Sequence, residues 1–148
     1  MIKKILVPVD GSVQSINAAK IAVDMAVPNG GEIHLLFAVK PSSGDYSGVN
    51  FMGYELPKDL AAKVDSEWEQ YATKIVDKVA AEVETAGVTI KKIIAKGDPV
   101  AVICKAAKKE GFDLISIGSR GIGGMTGVLG SVSSRVSQEA ECPVLISH

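Results

Sequence analysis

Aromatic residues are scarce in this sequence, at 5% of the chain with a single Trp. A core with so few rings has to be filled by Val, Ile, Leu and Ala, and apolar residues make up 47% of the total. Cysteine is nearly absent. Cys104 and Cys142 lack CxxC spacing and have no His close by in sequence, which argues against a redox motif or a zinc site and leaves both as small buried hydrophobes. An excess of one charge is also missing: the formal net charge is −1, so electrostatics offers no case for nucleic acid or an anionic membrane as partner. Lys3–Lys4, Lys91–Lys92 and Lys108–Lys109 read as solvated ends of elements. No stretch approaches the ~20 apolar residues needed to span a bilayer. The opening MIKKILVPVD is not expected to act as a signal peptide, because its apolar run is only Ile5–Val9, is interrupted by Pro8, is closed by Asp10 and is followed by no small-residue cleavage site. A cytoplasmic location is therefore expected.

What is present is an alternation of short buried strands and amphipathic helices. Residues 5–9 (ILVPV) are β-branched-rich, as in a strand covered on both faces. A helical pattern follows, with Ile16, Ala19, Ala22, Val23, Ala26 and Val27 on one side and Ser12 or Ser15 as cap. The residues 28–31 (PNGG) end it, and residues 33–39 (IHLLFAV) make a second strand. From Lys58 to Thr85, Leu60, Val64, Trp68, Tyr71, Ile75, Val79 and Val83 step by three or four and predict one apolar stripe, with Trp68 and Tyr71 in a core or an interface. Gly87 suits a helix end, and residues 88–95 read as an edge strand. Asp98 and Pro99 open a helix that buries Val100, Ile103, Cys104 and Ala107 and stops at Gly111. Residues 113–117 form a fourth strand, 131–139 a helix and 143–147 (PVLIS) a fifth strand. The order β-α-β-α-β-α-β-α-β implies one domain over residues 1–148: a doubly wound, Rossmann-like, five-stranded parallel sheet with helices on both faces. Such sheets bind ligands beyond the carboxyl ends of their strands. Between the second strand and second helix, Lys40–Pro57 holds two Pro, three Gly and three Ser in 18 residues, suiting either a lid or partner contact or simple disorder.

Six of the 15 glycines fall between Gly118 and Gly130. The segment feeds a helix start, where unpaired N–H groups and the helix dipole favour an anion, and Ser131, Ser133 and Ser134 add hydroxyls. Glycine permits positive φ and brings amides close to a phosphate. The lysine of GxxxxGK[ST] is missing, and no GxGxxG follows the first strand, so neither P-loop chemistry nor an ordinary dinucleotide site is indicated. The two histidines, His34 in the middle of a strand and His148 at the last position, form no constellation with paired carboxylates or a serine. No catalytic residue and no protein metal site is expected.

Five segments together resemble the universal stress protein family: residues 8–12 (PVDGS), 97–99 (GDP), 112–121 (FDLISIGSRG), 130–133 (GSVS) and 142–146 (CPVLI). The resemblance extends over essentially the whole chain. Its ATP-binding branch carries glycine, two residues, glycine, nine residues, then glycine and Ser or Thr. These map onto Gly118, Gly121, Gly130 and Ser131, with eight residues, 122–129, in place of nine. The resemblance implies that Pro8, Val9, Asp10, Ala38, Val39 and Ile117 line a base and ribose pocket. It implies that Gly118, Arg120, Gly121, Gly130, Ser131, Val132 and Ser133 follow ribose and phosphates. Asp10 is left with three roles: meeting the base edge, holding a phosphate-bound Mg²⁺, or capping the first helix. Arg120 either meets phosphate or is solvated.

The function so implied is ATP binding by a stress-response or signalling protein with at most slow hydrolysis. The alternatives are the same fold without nucleotide, working as a dimeric interaction module, and a nucleotidyl-transfer type ATPase. Homodimerisation is expected through the apolar fifth strand, which would otherwise be an uncovered edge; family members are similar in pairing there.

Overall fold

The computed structural model describes residues 1–41, 57–84, 87–124 and 128–148. The segment 42–56, most of the loop singled out above, lies outside them, as does 125–127 within the glycine-rich stretch. Five strands form one parallel sheet: β1 (Lys4–Pro8), β2 (Glu32–Val39), β3 (Thr89–Lys96), β4 (Leu114–Gly118) and β5 (Val144–Ser147), in the spatial order β3-β2-β1-β4-β5. The helices are α1 (Val13–Ala26), α2 (Lys58–Val83), α3 (Pro99–Glu110) and α4 (Ser131–Glu139).

The sheet separates two apolar layers. On one face Ile5, Val7, Ile33, Leu35 and Leu114 pack against Ala19, Ala22 and Val23 of α1 and Val76, Val79 and Val83 of α2. On the other, Leu6, Leu36, Ile115 and Ile117 meet Val100, Ile103 and Ala107 of α3 and Val136 of α4. Consecutive strand residues point to opposite faces, which is why Ile5 and Leu6 belong to different layers. Cys104 and Cys142 are half-buried beside the second layer. Burial pushes both thiols above their ordinary value, and Glu139 adds to the effect on Cys104. Such thiols are poor nucleophiles at neutral pH. Among the described residues no helix is long and apolar enough to cross a membrane.

Local chemistry sets the boundaries. Ser12, not Ser15, is the N-cap of α1: its hydroxyl oxygen accepts from Ser15 N at 3.2 Å. Asp98 caps α3 by accepting from Ala101 N at 3.0 Å, and Gly111 closes that helix at φ 65°. Val27, expected on the buried side of α1, stands exposed in a 3₁₀ turn, Val27–Asn29, because the chain tightens before Gly30.

The expected stripe of α2 is buried only in its second half. Leu60, Trp68 and Tyr71 are 45%, 49% and 41% exposed, while Val79 and Val83 are buried. The helix has 26 residues, about 39 Å at its normal rise. The strands beneath it have at most eight residues, about 26 Å. The helix is therefore longer than the strands it crosses. Trp68 and Tyr71 stack edge-on with centroids 5.6 Å apart, and Tyr71 meets Phe37 in the same way at 6.1 Å.

Two contacts tie the centre of the sheet to its surroundings. Asp113, just before β4, accepts from the backbone N–H groups of Lys3 and Lys4, both at 2.9 Å. These bonds hold its carboxyl below the usual value. At the other end of β4, a Cβ on Gly118 would lie 2.8–2.9 Å from Gln14 and Ser15, so only glycine lets the strand end touch the first turn of α1. The buried Ser116 hydroxyl reinforces that contact by donating to Ala18 O at 2.8 Å.

Two outcomes follow. A carboxylate with a depressed folded pKa contributes stability above its unfolded value and loses it as pH falls through the folded one. Asp113→Asn is therefore expected to lower Tm at neutral pH, with the gap to wild type closing below about pH 4; an equal gap at pH 7 and pH 3 by thermal melts would contradict this. Gly118→Ala is expected to destabilise by about 1–3 kcal/mol through overpacking against backbone, read as a drop in urea midpoint at constant slope.

Candidate functional site

β1 is the point where the winding reverses. The chain proceeds from β1 outward to β2 and β3, then returns across the sheet to β4 and β5. α1 and α2 cover one face and α3 and α4 the other, so the segments leaving β1 and β4 part and a crevice opens between them. It encloses about 540 Å³.

The crevice has an apolar floor and a polar end. Pro8, Val9, Leu36, Ala38 and Ile117 come from the strand ends, and Pro99 and Ile103 from the start of α3. Gly118 ends β4 and Arg120, Gly121, Ile122 and Gly124 follow it, with Val128 and Leu129 completing the rim. The first turn of α4, from Gly130 through Ser131, Val132 and Ser133, closes it. Of the thirteen residues that the resemblance places around base, ribose and phosphates, only Val39 is absent from this lining. It is two positions from Phe37 and one from Ala38, and its side chain is buried in the α1/α2 layer. Leu36 was legible from Ala38 by the same alternation; Ser15, Phe37, Ile103, Ile122 and Val128 carried no comparable signal.

Asp10 sits at the mouth but is not the cap of α1, because Ser12 holds that place. Its Oδ1 accepts from Ser12 N at 2.9 Å and its Oδ2 from Ile122 N at 3.2 Å. The carboxylate thus binds the glycine-rich segment to the end of β1. Arg120 is half-exposed, and with the Gln14 amide oxygen turned toward it, that oxygen accepts from Nε at 3.1 Å and Nη2 at 2.9 Å.

Three glycines of the segment are also required by packing within the protein. None of Gly118, Gly121 and Gly130 has a positive φ; Gly123, at 75°, does. A Cβ on Gly121 would lie 2.5 Å from Asp10 Oδ2, and one on Gly130 would lie 3.1 Å from Arg120 Cα and from Ser119 O. All three make room for other protein atoms.

At α4 the N-cap position is Gly130, and no side chain among the described residues caps it. Gly130 N donates to Ser119 O at 2.6 Å, while the N–H groups of the following turn have no intrahelical acceptor by geometry. Ser133 is buried and its hydroxyl donates to Ser119 O at 2.8 Å, so it is spent inside the protein. Ser131 is exposed at the first helical position, and Ser134 lies off the crevice. His34 is remote from it: buried in β2, it meets Glu32 Oε1 through Nε2 at 2.8 Å and the Phe112 ring edge-on. Among the described residues no group of three or more His, Cys, Asp or Glu is placed to hold a metal ion.

Comparison with known proteins agrees with the architecture. The chain matches the Usp family, described as the universal stress protein family, over residues 1–148. The universal stress protein YxiE of Bacillus subtilis is 35% identical over 147 residues, covering 99% of each chain. The solved structure of MJ0577, a Methanocaldococcus jannaschii protein studied for structure-based assignment of biochemical function, superposes with a TM-score of 0.83 at 27% identity, over 99% of this chain and 96% of that one. A universal stress protein in complex with cAMP superposes with a TM-score of 0.70 at 25% identity, over 99% of this chain and 97% of that one. By sequence and by fold, this chain belongs to the universal stress protein family.

Proposed function

We propose that residues 1–148 act as one nucleotide-binding domain that takes ATP into the crevice beyond β1, β2 and β4, as a bound signal in a stress response. The observation that carries this reading is the pairing of an apolar floor with an uncapped helix N-terminus and an arginine at one end. The floor suits a base and ribose. The free N–H groups of Ser131, Val132 and Ser133 suit phosphate, with the dipole of α4 behind them. The volume is that of an ordinary small-ligand site, and a relative of the same fold is known in complex with cAMP.

ATP would be held through Ser131–Ser133 backbone amides and Arg120. A Mg²⁺ bridging its phosphates would find Asp10 as the one carboxylate lining the crevice among the described residues; one carboxylate plus phosphates and water is an ordinary Mg²⁺ environment. Asp10 already accepts two N–H bonds and no histidine lines the crevice. With its carboxylate engaged in this way, Asp10 is not a ready general base, which favours binding over turnover.

We further propose a homodimer through β5. This strand is the sheet edge next to β4, and Val144, Leu145 and Ile146 are only half-buried. An edge of that composition is normally covered.

Calorimetry tests the first proposal. Wild type is expected to bind ATP with Kd on the order of micromolar, about −8 kcal/mol. Ser131→Ala is expected to cost at most about 0.5–1.5 kcal/mol. Gly130→Val, which drives a side chain into Arg120 Cα and Ser119 O, should be far worse. Ser131→Asp separates binding from folding: a carboxylate in a first helical turn stabilises by about 0.3–1 kcal/mol, yet it repels phosphate. Equal ATP affinity in wild type and Ser131→Asp, or no ATP binding at millimolar ligand, would overturn the nucleotide reading. For the dimer, sedimentation should give a pair at micromolar protein and a monomer for Val144→Asp; a monomeric wild type removes it.

A further inference from the structure

We propose that Gln14 is a positioning residue for Arg120, and that the pair makes the crevice select nucleotides by phosphate count, ATP over AMP and adenosine. This rests on the adenine-nucleotide reading above and adds the means of discrimination.

The course of the Arg120 side chain is fixed along its length. Its Cα lies against Gly130, the N-cap of α4, where a Cβ would come within 3.1 Å. Its stem lies against Gly124, where a Cβ would come 2.7 Å from Arg120 Cβ and 3.2 Å from Cδ. Its head lies against the Gln14 carboxamide, and with the amide oxygen assigned to that side, the orientation that gives the two guanidinium N–H groups an acceptor, it stands 3.1 Å from Nε and 2.9 Å from Nη2. A guanidinium has five N–H donors; two are used here, and three remain.

The grip is neutral, and that is the decisive point. An arginine held by glutamate would have its charge cancelled. Gln14 orients the guanidinium and leaves the charge whole, and Arg120 forms no ion pair among the described residues. The location is also electrostatically poor for a cation. Gln14 is the second residue of α1, whose first turn holds no acidic residue, and a cation beside a helix N-terminus is disfavoured. Asp10 is the carboxylate nearest in the lining, and both its oxygens already accept backbone N–H groups. A polyanion is the ligand that relieves this arrangement, since planar bidentate donors suit phosphate oxygens. Adenosine, with no phosphate, would gain nothing from it.

The test is calorimetry of ATP, AMP and adenosine with wild type, Gln14→Leu, Gln14→Glu, Arg120→Leu and the double variant Gln14→Leu/Arg120→Leu. Gln14→Leu is expected to weaken ATP about tenfold, the effect of one charge-assisted hydrogen bond, and to change adenosine by less than about twofold. Gln14→Glu keeps the grip but neutralises the cation, so it too should weaken ATP and spare adenosine. The double variant should bind ATP no more weakly than Arg120→Leu alone, because Gln14 acts only through Arg120. Equal losses for ATP and adenosine, additive losses in the double variant, or an unchanged ATP preference in both Gln14 variants would each overturn the proposal. A wild type that binds ATP while the Gln14 variants keep its preference overturns this inference alone. A wild type that binds no adenine nucleotide overturns the nucleotide reading together with it.

Discussion

The contact between the end of β4 and the first turn of α1 fixes the geometry around the crevice. β1 has a parallel neighbour on each side, and right-handed crossovers send the intervening helices to opposite faces of the sheet. That divergence opens a gap, but the gap has a defined shape only because α1 is seated directly on β4. Gly118 lets the two backbones meet, and Ser116 pins Ala18 from inside the sheet. Asp10 and Arg120 lie two residues beyond β1 and β4 respectively, and the start of α4 is tied back to the end of β4 by the bond from Gly130 N to Ser119 O.

Much of this was legible in the sequence because each boundary has a local cause. Ser12, Asp98, Pro99, Gly30 and Gly111 act on their own helix ends, and no tertiary partner is needed to read them. The face of α2 was legible too, but its burial was not. Periodicity reports which residues share a side of a helix; it carries no information on whether a sheet lies beneath that side. Leu60, Trp68 and Tyr71 obey the period and are still exposed.

The crevice divides along the same line. Its location follows from strand order, and its residues from alternation and motif. What the sequence could not separate is a glycine kept for a ligand from a glycine kept for the protein. Gly118, Gly121 and Gly130 each face a neighbouring protein atom at the distance a Cβ would need. Likewise a Ser at a helix start reads as a free donor, whereas the Ser133 hydroxyl is turned inward to Ser119 O. Pairings such as Asp10 with Ile122, or Gln14 with Arg120, join positions about a hundred residues apart, and one sequence holds no record of them.

The two rims of the sheet are unlike. β3 ends the sheet with Lys91, Lys92 and Lys96, tied to Glu32, Asp77 and Glu69. Charged lysines along a rim are a common defence against strand addition. β5 ends it with three aliphatic residues. A sheet with two receptive rims can add copies without limit and grow into a fibre, whereas one receptive rim is used up by a single two-fold pairing. If β5 pairs with a second copy as proposed, the lysines of β3 supply a stopping rule, since the opposite rim is defended against strand addition.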